Sequence, residues 1–157
     1  MMENIAAIQK QKLIDAGLAS DHDFAGCSDD EVAHLERLFN VKLPDSFVNY
    51  LRVMGKRRDG FYAEASMSYP FDDMRRIAEA LLKDVDESLS DTAFVFVERY
   101  GCAVLFFETT EGSDPPVYVC QEDDKPSSRV ATSFSEWLTV AVDAHIEGCR
   151  KLQKMES

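Results

Sequence analysis

The stretch Ser28–Gly55, SDDEVAHLERLFNVKLPDSFVNYLRVMG, constrains the fold more tightly than any other segment. It reads as two short amphipathic helices joined by the tight connection Asn40-Val41-Lys42-Leu43-Pro44. Ser28 and Glu31 form an S-x-x-E capping box, a pairing that satisfies two otherwise orphaned backbone donors. Asp29 and Asp30 add negative charge where a helix dipole is positive. Val32, Leu35, Leu38 and Phe39 share one helical face. Pro44 suits the first turn of a second helix, where its missing N–H costs nothing. Phe47, Tyr50, Leu51 and Met54 follow at i, i+3, i+4 and i+7, with Gly55 as the C-cap. Two apolar stripes this close in sequence need a common core to bury them.

The remaining segments define what that core contains. Asn4–Ala16 is expected as an N-terminal helix, an accessory arm with Ile5, Ile8 and Leu13 on one side and Gly17 at its end. Ala19–Cys27 reads as a loop, Lys56-Arg57-Arg58-Asp59-Gly60 as a solvated polar turn, and Phe61–Pro70 as an extended segment. Asp72 and Asp73 open a third helix with Met74, Ile77, Ala78, Leu81, Leu82 and Val85 as its stripe. Thr92–Glu98 and Ala103–Glu108 are short apolar runs joined by the hairpin turn Arg99-Tyr100-Gly101-Cys102. Both are apolar on both faces, which predicts a central sheet covered by helices. Thr110–Pro115 is a turn, Val117–Cys120 a third strand, and Gln121–Arg129 a polar loop. Ser133 and Glu136 form a second capping box. It opens a long helix through Phe134, Trp137, Leu138, Ala141, Val142, His145, Ile146, Cys149 and Leu152, helical to about Lys154. Helices first, an antiparallel meander next and a helix last predict an α+β fold rather than a doubly wound sheet.

A chain of 157 residues favours one domain, 1–157, with 1–27 as an N-terminal helical extension. With 45% hydrophobic residues it has enough apolar side chains for a single core. No apolar run approaches the roughly 20 residues that cross a bilayer. Met1-Met2-Glu3-Asn4 lacks the layout of a secretory leader, so a cytoplasmic location is expected. Cys27, Cys102, Cys120 and Cys149 form no Cys-x-x-Cys pair and read as reduced thiols, a Cys102–Cys120 bridge lacking positive support.

The formal charge of −12 is uneven: residues 1–60 hold 8 Lys+Arg and 10 Asp+Glu, residues 61–157 hold 9 and 19. Nucleic acid and anionic lipid are bound through lysine and arginine, so neither is expected as a partner. A basic protein partner is, since the field would speed its approach.

Motifs that carry chemistry are sparse. His22, His34 and His145 belong to no metal-binding spacing; His34 reads as solvated and His145 as packed within its helix. Asp21-His22-Asp23 has no further ligand at a sensible spacing. There is no G-x-S-x-G elbow, no G-x-G-x-x-G and no Walker loop. The run Glu122-Asp123-Asp124 lacks the alternation and glycine of a calcium loop. No metal or cofactor is therefore expected. A small hydrolase using Cys and His ranks third among the readings, since such pairs meet in space rather than in sequence. The acidic positions Glu108, Glu111, Asp114, Glu122, Asp123 and Asp124 fall at strand ends and in two loops of the meander. If those loops share an edge, they form one negative partner-binding surface; their other role is to keep a sheet edge from aggregating.

The helix pair resembles the opening of the SUKH superfamily, which includes fungal cell-wall assembly regulators. An apolar residue, Leu-Glu, a spacer, Leu-Pro, an aromatic, a Leu and a closing Gly stand here as Val32, Leu35-Glu36, Leu43-Pro44, Phe47, Leu51 and Gly55. Tyr100-Gly101 before an apolar strand, Pro116-Val117-Tyr118-Val119, and Phe134-Ser135-Glu136-Trp137-Leu138 continue the likeness, which covers about Ser28 to Ala144. Lys56-Arg57-Arg58, where many members have small residues, departs from it. The resemblance implies a non-enzymatic domain with no catalytic residue to carry over. Bacterial members are largely immunity proteins that neutralise toxins, often nucleases; fungal members are regulatory scaffolds. The leading expectation is an immunity protein that binds a basic toxin domain through an acidic surface, and the alternative is a regulatory binding module without a toxin partner. The oligomeric state stays open.

Overall fold

Five α-helices and two antiparallel sheets make up the described residues of the computed structural model, which are 3–62, 65–123 and 125–156. In chain order they are α1 (Ile5–Asp15), β1 (Phe24–Ala25), α2 (Asp29–Phe39), α3 (Asp45–Met54), β2 (Arg57–Arg58), α4 (Met74–Lys83), β3 (Ala93–Arg99), β4 (Ala103–Glu108), β5 (Val117–Gln121), β6 (Ser128–Ala131) and α5 (Phe134–Glu156). β3-β4-β5-β6 is an antiparallel meander, and β1 pairs with β2 in a separate two-stranded sheet. The α+β architecture with a long last helix is the one expected.

The helix pair forms through local chemistry. The Glu31 amide donates to Ser28 Oγ at 3.2 Å and the Ser28 amide donates to Glu31 Oε1 at 2.9 Å, closing the capping box. Asn40 ends α2 in the left-handed region at φ 52°, a conformation its short polar side chain tolerates. The Glu36 carboxylate then accepts the Leu43 amide at 2.7 Å. That bond holds the connection in place just ahead of Pro44, which caps α3 rather than entering its first turn. Phe47, Tyr50, Leu51 and Met54 are all buried, as their spacing predicts. Leu38, expected on the apolar face of α2, is 56% exposed. Gly26 also holds this region together: a Cβ there would lie 1.7 Å from the Arg52 carbonyl oxygen, so only glycine lets the chain pass α3 so closely.

Phe47 projects from α3 into the centre of the core. The rings of Tyr50, Phe71, Phe94, Phe96, Phe107 and Phe134 all have centroids within 6.0 Å of its own. Phe94 and Phe107 are cross-strand partners on β3 and β4, so one ring of α3 joins the helix layer to the middle of the sheet. Phe96 is the extra residue where the β3–β4 register shifts, and its ring meets Phe134 and Trp137 of α5 at 5.3 and 5.0 Å. Both faces of the sheet are covered, for Ala93 to Val97 are buried in succession. α4 packs against β3, β4 and β5 through Met74, Ala78, Leu81 and Leu82. The outer edge of β3 is closed as well: Ser66 exchanges backbone bonds with Glu98 at 2.8 and 2.9 Å, and Arg75 donates to the Ala93 carbonyl at 3.1 Å.

Several segments depart from expectation. α1 is no loose arm: it packs on α3 and α5 through Ala6, Gln9 and Leu13, while Ile8 is turned outward. The supposed loop 19–27 contains a single 3₁₀ turn at Asp21–Asp23 and β1. The basic triplet is not a solvated turn, because Arg57 and Arg58 form β2 and Arg58 is buried. The Arg58 guanidinium donates to Ser68 Oγ at 2.9 Å and to the Ala65 carbonyl at 3.1 Å, organising the segment after α3 from within. The stretch 61–70 is mostly turns and bends, with Met67 fully buried; Ala63 and Glu64 lie outside the described residues. The end of the supposed loop 121–129 enters a fourth strand, β6, missed because only Ala131 of its residues is buried.

Two predictions follow from these contacts. Phe47→Ala removes the ring that six others surround and should destabilise the domain by about 3–5 kcal/mol in urea denaturation. Glu31 sits below its usual carboxylate range because the Ser28 amide and the Lys56 ammonium favour its charged form. Such a group stabilises the fold above the unfolded glutamate value of about 4.3 and ceases to do so as pH falls through its lower folded value. Glu31→Gln should therefore flatten the loss of stability below that pH, read as denaturation midpoints at neutral and acid pH.

Candidate functional site

The meander decides how the acidic residues are distributed. β4 and β5 pair from Ala103↔Gln121 to Phe106↔Tyr118, so the β4–β5 connection lies at one end of the sheet. The β5–β6 connection lies at the other, about 15 Å away along a five-residue strand. Glu108, Glu111 and Asp114 are thus separated from Glu122 and Asp123, and no single edge gathers all of them. Asp124 lies outside the described residues.

At the first end the carboxylates serve the fold. Glu108 accepts from the Ser90 hydroxyl, and from Thr92 Oγ1 at 2.8 Å, pinning the segment before β3 to β4. Asp114 accepts the Ser135 amide at 2.9 Å and so caps the start of α5 from another loop. Glu136, expected to reach back to Ser133, instead accepts from the Thr132 amide at 2.8 Å and from its hydroxyl. Glu111 is exposed and accepts the Tyr118 hydroxyl at 3.1 Å. Burial, and then this carboxylate, raise the Tyr118 phenol above its ordinary value.

At the second end the carboxylates face solvent. Glu122 and Asp123 are exposed, and the Glu122 amide donates to the Cys102 carbonyl at 2.8 Å, which sets the acidic loop beside the β3–β4 turn. The segment after α4 joins them: Glu87 accepts the Ser127 amide at 2.6 Å and its hydroxyl at 2.8 Å. The Cys120 thiol is pushed up by burial, and further by the negative fields of Glu87, Asp123 and Asp84. Those three carboxylates lie near enough to Cys120, at the end of β5, for their fields to reach its thiol. Segments 83–87 and 122–125 together carry six carboxylates against Lys83 and Lys125 in the sequence. Tyr100 stands at the adjoining turn, 77% exposed, at φ 54°.

Sequence reading missed Asp84, Glu87 and Tyr100 because they come from separate segments. One signal was available: Asp84, Asp86 and Glu87 follow a helix C-terminus, where the dipole disfavours negative charge. Carboxylates in that position carry no helix-stabilising role.

A thiol and an imidazole come together on α5. His145 stands edge-on to Phe61 at 5.6 Å, and its Nε2 lies 3.8 Å from Cys149 Sγ. A thiol beside an imidazole is part of a nucleophile's equipment. Both residues sit mid-helix, where their own backbone amides are bonded within the helix. Burial pushes the Cys27 thiol up to about 11, away from a reactive thiolate. All four cysteines are free, and Cys120 lies opposite Val104 rather than Cys102. Among the described residues no group of three or more His, Cys, Asp and Glu is placed to hold a metal ion. No helix among them is long and apolar enough to cross a membrane.

Residues 26–140 match the SMI1 / KNR4 family (SUKH-1), from the close-packed Gly26 into the first turns of α5. No curated protein matches the chain. The matched span holds the Glu36–Leu43 link, the Phe47 core and the whole meander, while α1 and the rest of α5 lie outside it. By that match over most of its length, the chain belongs to the SMI1 / KNR4 family, SUKH-1.

Proposed function

We propose that this chain is a non-enzymatic protein-binding domain of the immunity type, which neutralises a basic toxin domain by covering its cationic surface. Family membership is consistent with an immunity-type or a regulatory binding domain. The observation that favours a basic partner is the acidic end of the sheet, where the exposed Glu122 and Asp123 sit beside the β3–β4 turn and Glu87 is tied to the same loop through Ser127. A nuclease holds its substrate through lysine and arginine, and an acidic surface competes for those side chains. Exposed carboxylates steer encounter more than they hold the complex, so association is fast at low salt and slows as salt rises. Tyr100 supplies the anchoring group: an exposed aromatic face can take a partner arginine by cation–π contact while the neighbouring carboxylates meet its charge.

The test is co-expression with a toxin domain encoded beside the gene, followed by binding kinetics on the purified pair. Growth rescue and a complex whose association rate falls with salt are the expected results. Glu122→Lys with Asp123→Lys should slow association by about tenfold or more, and Tyr100→Ala should speed dissociation. Neither rescue nor binding would leave the regulatory scaffold as the better reading.

A further inference from the structure

The second half of α5 is left uncovered by the rest of the molecule. From Glu147 to Glu156 no side chain is buried. Three of the large exposed hydrophobic residues lie on this helix, with Val140 and Leu152 each 60% exposed and Met155 82%. At 100° per residue, Val140, Ala144, Gly148, Leu152 and Met155 fall within an arc of about 120°, turned away from the buried Leu138, Val142 and Ile146. The same arc borders a groove of about 370 Å³ lined by Tyr62, Trp137, Ala141, Ala144 and His145. A helical segment of this length is marginal in water without packing.

The charges along this face select what can cover it. Glu147 precedes Gly148 just outside one border of the apolar arc, and Lys151 follows it just inside the same border. Among the described residues no salt bridge involves Glu147 or Lys151, and Asp143 pairs with Lys12 while staying exposed. Laid parallel, the charged flank of one copy would face the opposite flank of the other, on the side of His145 and Leu152, so Glu147 and Lys151 would not meet. Laid antiparallel about a dyad at Gly148, they bring Glu147 of each copy beside Lys151 of the other, a contact that occurs twice. The same arrangement places Leu152 of the second copy over Ala144 and its Met155 beside Ala141, at the groove. Ala144 and Gly148 let the two backbones approach closely at the dyad.

We infer that the exposed face of α5 is a self-association surface, on which a second copy of this chain docks its own α5 antiparallel to form a two-fold dimer. The contact is isologous, so it closes at two copies. One helix pair with groove edges is smaller than a standard interface, which places the affinity in the micromolar range. The inference does not depend on the proposed function, since it uses neither the acidic end of the sheet nor a toxin.

Sedimentation velocity across micromolar to sub-millimolar concentrations tests it directly. The wild-type chain should pass from monomer to dimer. Glu147→Lys and Lys151→Glu alone should each raise the dissociation constant about tenfold, because each sets like charges opposite one another twice. The double variant E147K/K151E restores opposite charges and should return the wild-type affinity. Ala144→Glu at the seam should leave a monomer with an unchanged helical circular dichroism spectrum. A chain that stays monomeric throughout overturns the inference. So does a dimer indifferent to all four variants, or one weakened by the single charge reversals but not recovered by the double.

Discussion

The packing of Phe47 against six neighbouring rings is the contact on which the other elements depend. It lies between α3, the β3–β4 hairpin and the start of α5, and each of those elements presents an aromatic side chain to it. Edge-to-face ring packing is directional, so the same contact that drives burial also sets the angle of the helices to the sheet. The Glu36–Leu43 hydrogen bond matters because it fixes the short connection that aims Phe47. Leu35-Glu36 and Leu43-Pro44 thus have a mechanical meaning: three are core or cap residues, and the glutamate locks the corner between them.

The elements legible in the sequence were those whose stabilising chemistry is local. Capping boxes, helical stripes and apolar strand runs each act within a few residues. They were read from Ser28, Val32, Phe47 and Phe134 with boundaries that shifted by a residue or two. Arg58 was misread because its partners, Ser68 and the carbonyls of Tyr62 and Ala65, are contributed by a later bend. β6 was missed because an edge strand with three exposed residues of four shows no apolar alternation. The second half of the Ser133 cap was misassigned because a hydroxyl one residue earlier competes for the same carboxylate.

The acidic surface shows the limit of composition more sharply. Charge counts placed the excess in the second part of the chain correctly, but an antiparallel meander sends successive connections to opposite ends. Adjacency in sequence therefore worked against adjacency in space. Four of the acidic side chains selected from sequence accept hydrogen bonds inside the domain, and Glu87, forty residues before Ser127, does the same where it joins the exposed Glu122 and Asp123. Hydrogen bonds that hold hairpins and helix starts can themselves require carboxylates, so an acid count overstates the charge available to a partner.

α1 is held to α3 and α5 by a narrow seam, and that has a dynamic consequence. It buries only Ala6, Gln9 and Leu13, and the Gln9 Oε1 is buried without a partner even though its Nε2 donates to Thr139 at 3.1 Å. A seam this narrow opens at a lower free energy than the aromatic core beneath it. Its amides exchange with solvent through partial opening while the sheet stays closed. Each such opening uncovers the middle of α5, so the solvent exposure of that helix fluctuates with the docking of α1 and not with unfolding of the domain.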